Sequence, residues 1–162
     1  MKKALCLLFS LLIFCSGCDS KSSGVTAVTS GLSFDAKLIF SGKETIYTVN
    51  IEKDGTTEII LPSGAVFVFS DNTYTVSYDG ISKTADLSSL NKNLYVDFFY
   101  SLFKAVREKD CKVTAKDNRY LLECNTEKYD FTLFIGQSGL PIEVNEKNFG
   151  FKAVFISPTI KN

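Results

Sequence analysis

From residue 31 onward, polar and apolar residues alternate along most of the chain. Leu32, Phe34, Ala36, Leu38 and Phe40 alternate with Ser33, Asp35, Lys37 and Ile39, the period of a strand with one buried face. Tyr47, Val49 and Ile51 repeat the pattern. Lys53-Asp54-Gly55 then predicts a tight turn with Gly55 left-handed, and Thr57, Ile59 and Leu61 return on the same face before Pro62. Residues 65–69 and 73–78 predict two strands on either side of Asp71-Asn72. That pairing puts Ala65, Phe67 and Phe69 on one face with Tyr74, Val76 and Tyr78. Asp79-Gly80 leads into a short strand at 81–85. Later strands fall at 129–135, 141–144 and 149–156, with Gly136, Gly139 and Asn145 marking turns. About ten or eleven strands joined by short loops predict an antiparallel meander.

One stretch breaks the period. Over 87–108 the spacing becomes helical. Asn93, Asp97, Ser101, Lys104 and Glu108 form a narrow polar stripe, and Leu94, Tyr95, Val96, Phe98, Phe99, Leu102, Phe103, Ala105 and Val106 surround it. Asp86, Ser88 and Asn91 are candidate caps. A helix on the outside of a sheet buries one stripe, whereas this one needs cover on most of its circumference. The expected fold class is therefore α+β, mainly β: a curved antiparallel sheet, an unclosed half-barrel, wrapped around one long apolar helix.

Beyond the first twenty residues there are two cysteines, Cys111 and Cys124. Asp117-Asn118 suits a two-residue turn. That turn pairs Lys116 with Arg119, Ala115 with Tyr120, Val113 with Leu122 and Cys111 with Cys124. The sulfurs then face each other at a separation a disulfide accepts, and closing the loop contributes on the order of 3 kcal/mol. The alternative is a pair of free buried thiols.

The N-terminus changes the cellular picture. Met1-Lys2-Lys3 precedes an apolar run at 4–14 and then Cys15-Ser16-Gly17-Cys18. A basic start, a short apolar core and small residues before a cleavage point are the parts of a secretory signal. The run is shorter than the roughly 20 residues a transmembrane helix needs. Ser16-Gly17-Cys18 resembles the lipobox of bacterial lipoproteins, with Cys15 where leucine is usual. The resemblance implies removal of 1–17, acylation of Cys18, and a protein that is exported and lipid-anchored at the cell envelope. Residues 18–30, rich in Ser, Gly, Thr and Lys, are expected to form a flexible tether, and 31–162 the folded domain. Without the two leader lysines, 16 basic residues face 18 acidic ones. Such a balance, with no basic cluster, gives nucleic acid no footprint.

No catalytic constellation stands out. Histidine is absent, which removes the commonest general base and a common metal ligand. No phosphate loop, nucleophile elbow or metal-ligand spacing occurs, and the Asp-Gly pairs lack the alternating oxygens of a calcium loop. A non-enzyme without metal or cofactor is expected. The unusual feature is aromatic: fourteen Phe and seven Tyr, without Trp. Phe34, Tyr47, Phe67, Phe69, Tyr74, Phe98, Phe99, Phe103, Phe131 and Phe151 fall on inward faces. They serve either as a self-filled core or as the lining of a hydrophobic-ligand cleft between sheet and helix.

The order of elements over 32–156 resembles the LolA/LolB-like lipoprotein-carrier superfamily, including its LppX/LprG-like lipoproteins. The stretches that carry the resemblance are the early strand pair ending at Pro62 and VFVFSDNTYTVSYDGISKTA at 66–85. Within the latter, Ser70-Asp71-Asn72-Thr73-Tyr74 and Tyr78 resemble the family's turn and later tyrosine. FTLFIGQSGLPIEVNEKNFGFKAVF at 131–155 follows, with its Gly139-Leu140-Pro141 element. The family's helix before the first strand is not expected here, because the tether is short and polar. The resemblance implies an unclosed barrel around a helix and an apolar cavity holding acyl chains. The expected function is binding a lipid or other hydrophobic ligand at one membrane. The alternative is an envelope protein-interaction or sensing module with a fully packed core.

Overall fold

The computed structural model describes residues 30–91 and 95–161. The leader, Cys18 and all but the last residue of the tether lie outside the described residues.

The sheet starts with β1 (Leu32–Phe40), β2 (Lys43–Ile51), β3 (Thr57–Ile60), β4 (Val66–Ser70), β5 (Thr73–Tyr78) and β6 (Ile81–Asp86). A helix follows, α1 (Phe98–Glu108), the one α-helix among the described residues. Then come β7 (Cys111–Lys116), β8 (Arg119–Asn125), β9 (Asp130–Ile135), β10 (Pro141–Glu146) and β11 (Phe151–Ile160). All eleven strands form one antiparallel sheet in the order β6-β5-β4-β3-β2-β1-β11-β10-β9-β8-β7. The first and last strands of the chain pair at its centre, and β6 and β7, on either side of α1 in sequence, form its two edges.

The predicted pattern is realised in detail. On β1, Leu32, Phe34, Ala36 and Leu38 are buried while the residues between them are not. Positive φ occurs at Gly55, Asp71, Asp79, Asp117 and Asn118, where the turns were expected and where Gly, Asp and Asn tolerate it best.

Ring contacts establish the curvature. Tyr100 stacks on Phe69 of β4 at 5.4 Å, and Phe98 meets Phe131 of β9 edge-on at 5.8 Å. β4 and β9 are six strand steps apart, about 29 Å across a flat sheet at ~4.8 Å per step. Two residues on one turn of a helix about 10–12 Å wide reach both only if the sheet curls around them. Seven of the eleven helix residues are buried, leaving Ser101, Lys104, Arg107 and Glu108 toward solvent.

Three expectations need correction. The helix is eleven residues, not the whole of 87–108. Leu87–Ser89 forms a single 3-10 turn and Leu90 is extended, with ψ of 132°. Ser89 Oγ donates to the Asp86 carbonyl at 2.6 Å. Such local side-chain bonds compete with helix propagation, which explains why a Ser- and Asn-rich stretch with helical apolar spacing does not propagate one. The cap position of α1 is Asp97, not Asp86, Ser88 or Asn91, and its carboxylate makes no capping bond. Asn145 lies inside β10 rather than in a turn, and Phe149 lies in the turn before β11.

Candidate functional site

The ten aromatic residues proposed from sequence are brought together, mainly around α1. Phe34 contacts Phe99, Phe103 and Phe155 at 5.9, 5.7 and 4.9 Å. Phe98 meets Phe131 at 5.8 Å and Phe151 at 4.7 Å. Phe67, Phe69 and Tyr74 stack on one another at 6.2–6.5 Å. Tyr47 reaches Phe99 at 6.5 Å. Phe34, Phe69, Phe98, Phe99, Phe103, Phe131 and Phe151 are each at most 3% exposed, and Tyr47, Phe67 and Tyr74 are partly buried. Sequence reasoning left Tyr95, Tyr100, Tyr129, Phe149 and Phe155 out of this set, although all five belong to the same ring network.

A cleft of about 740 Å³ opens beside the N-terminal end of α1, and none of those ten residues is among the described residues that line it. Leu87, Leu90 and Phe149 supply its apolar surface, and Asp86, Asp97, Glu127 and Lys128 its charged groups. These residues come from opposite sides of the sheet. Asp86 ends β6 and Leu87 and Leu90 follow it, whereas Glu127 and Lys128 follow β8. They converge because the sheet curls.

Local bonds fix the walls. Glu146, 3% exposed, accepts the backbone N–H groups of Asp130, Asn148 and Phe149 at 3.1, 3.0 and 2.6 Å. A carboxylate satisfied by several amides is a stable buried group, and here it holds the turn that carries Phe149. Thr126 and Tyr129 close the β8–β9 turn through the Thr126 N–H bond to the Tyr129 carbonyl at 2.8 Å. The Tyr129 N–H also donates to Thr126 Oγ1 at 3.0 Å.

Asp97 was expected on a solvent-facing polar stripe, yet it is 6% exposed. Tyr129 Oη donates to its Oδ1 at 2.7 Å, and Lys128 Nζ does so at 2.8 Å. The same ammonium lies 5.0 Å from the Tyr129 ring centre. Burial first, and the Asp97 charge second, push the Tyr129 phenol far above its usual value; Tyr129 therefore stays a donor.

A tyrosine raised in this way keeps its proton in the fold after the unfolded chain has lost it. Its stability contribution is complete below about pH 10, the unfolded value. Above that it declines with rising pH by about 1.4 kcal/mol per unit. Urea unfolding from about pH 9 to 11 is expected to show this decline. Tyr129→Phe should give a shallower slope, with a remainder from Tyr47 and Tyr100, both also raised by burial.

Among the described residues these features define a class of protein: one unclosed antiparallel sheet curled around an apolar helix, with a cleft where the helix begins. No protein-family model matches the sequence, and no curated protein matches it. In fold the chain is similar to an uncharacterized conserved protein from Thermus thermophilus, at 8% identity and a TM-score of 0.55, over 86% of this chain and 84% of that one. Structural neighbours also include LprF from Mycobacterium bovis, at 9% identity and a TM-score of 0.41, over 86% and 92% of the two chains. A LolA superfamily protein from Nitrosomonas europaea is another, at 8% identity and a TM-score of 0.41, over 86% and 93%. At these identities the likeness is one of fold.

Proposed function

We propose that this chain is an exported lipoprotein, acylated at Cys18 and held at the cell envelope, that binds a lipid or other hydrophobic ligand through the cleft beside α1. The observation that carries this reading is the apolar surface of Leu87, Leu90 and Phe149 in a cleft of about 740 Å³. Ligand sites are typically apolar concavities with a few placed polar groups. The ligand's apolar chain enters along these three residues toward the ring network, where Phe98 and Phe151 lie behind Tyr95 and Phe149. The ten aromatic residues named from sequence are, in this reading, the wall against which it comes to rest. A two-chain acyl anchor holds the domain stably at the surface it draws from.

The test is organic extraction and mass spectrometry of the full chain purified with Cys18→Ser, beside the same chain with Leu90→Asp. Co-purified lipid in the first and its loss in the second are expected. If neither chain yields an apolar species, the ligand reading fails. The extent of ring-to-ring contact favours a second reading, an envelope protein-interaction module whose interior fills itself. Under it, crosslinking in intact cells labels a partner protein while extraction yields nothing. Fatty-acid labelling of the native chain, abolished by Cys18→Ser, tests the anchor separately.

A further inference from the structure

The charged groups around the cleft bear on what its ligand carries at the polar end. Among the described lining residues, three carboxylates, Asp86, Asp97 and Glu127, face one ammonium, Lys128. That ammonium is already engaged, at 2.8 Å from Asp97 Oδ1. Asp86 and Glu127 are exposed and make no ion pair among the described residues. Asp97 contributes more than charge. Both of its donors converge on Oδ1, and no buried side-chain oxygen among the described residues is without a partner. Asp97 lines the cleft while 6% exposed. A carboxylate this shielded from water attracts an opposite charge more strongly than one in bulk solvent.

Resting on the ligand-binding reading above, we infer that the cleft selects an amphiphile with a cationic, hydrogen-bond-donating head of the ammonium kind. Its chain lies on Leu87, Leu90 and Phe149, and its head sits among the carboxylates of Asp86, Asp97 and Glu127. An anionic head meets the same three carboxylates and finds Lys128 occupied, so charge discriminates against it.

Equilibrium dialysis of the full Cys18→Ser chain with three probes of equal chain length, each below its micellar concentration, tests this. The probes are dodecylammonium, dodecyl maltoside and dodecyl sulfate. At low ionic strength dodecylammonium is expected to bind at least ~10-fold tighter than dodecyl sulfate, with the gap shrinking as salt screens the carboxylates. Asp86→Asn combined with Glu127→Gln, exposed positions with no part in the core, should narrow the gap. Asp97→Asn should narrow it further. Dodecyl sulfate binding as tightly as dodecylammonium, or a gap indifferent to salt and to the double substitution, overturns the headgroup inference and leaves the hydrophobic-ligand reading standing. Failure of all three probes to bind overturns both.

Discussion

Replacing Phe98 by alanine is expected to lower the unfolding free energy by about 3–5 kcal/mol, a large part of the roughly 5–15 kcal/mol that holds a domain of this size together. Phe98 is fully buried. Its ring touches Phe99 on the helix, Tyr129 beside β9, Phe131 on β9 and Phe151 on β11, at 4.7 to 5.8 Å. Those partners sit on different elements, so no single shift closes the void that a methyl side chain leaves. Aromatic pairs also contribute beyond their buried area, about 0.5–1.5 kcal/mol each. Phe67 is the matched control: it is only partly buried and stacks at the margin of the network on Phe69 and Tyr74. Urea unfolding should show a midpoint shift for Phe98→Ala at unchanged slope, and a clearly smaller one for Phe67→Ala. If the two losses were equal and small, the interior would be too loosely packed for a close-packed ring core, and the ring network would have to be redrawn as a cavity.

Much of this architecture could be read from the chain because antiparallel meanders are written locally. Period-two alternation fixes which residues of β1 to β5 face inward, and Asp71-Asn72, Asp79-Gly80 and Asp117-Asn118 fix the turns. For β7 and β8 the turn sets the register pair by pair: Cys111 with Cys124, Val113 with Leu122, Ala115 with Tyr120 and Lys116 with Arg119, all found as expected. What was missed depends on distance. Apolar spacing carried the helix back to Leu87, but Ser89 bonds locally to Asp86 and Leu90 is extended. Asp97 looked like a surface residue because its partners, Lys128 and Tyr129, lie 31 and 32 residues further on. The cleft was invisible for the same reason: Leu87 and Leu90 meet Lys128 and Phe149 only through the curl of an eleven-stranded sheet.

Breaking the Cys111–Cys124 disulfide is expected to cost on the order of 3 kcal/mol, from a link closing a loop with a sequence separation of 13. The strand it secures has little else. β7 is an edge of the sheet, and all of its residues except Cys111 are exposed. Its native partner is β8 alone, through a ladder that includes the half-cystine pair itself, Cα atoms 4.3 Å apart. β8 is the better buried strand, with Leu122 and Cys124 inside, so the loss should be uneven. Amide exchange in β7 is expected to accelerate strongly on reduction, while β1, β2 and β11 at the centre keep their protection, as for a locally opening unit. Comparing the oxidised chain, the reduced chain and Cys111→Ala with Cys124→Ala separates the link from the side chains, since only the double substitution also removes sulfur from the Cys124 site. The consequence reaches the cleft: Cys124 stands four residues before Lys128, at the base of the turn that carries Lys128 and Tyr129 to Asp97. Reduction should therefore also flatten the alkaline decline due to Tyr129, because a loosened turn no longer holds that phenol buried beside a carboxylate. Unchanged exchange in β7 together with an unchanged alkaline slope would mean that the backbone ladder alone secures this edge.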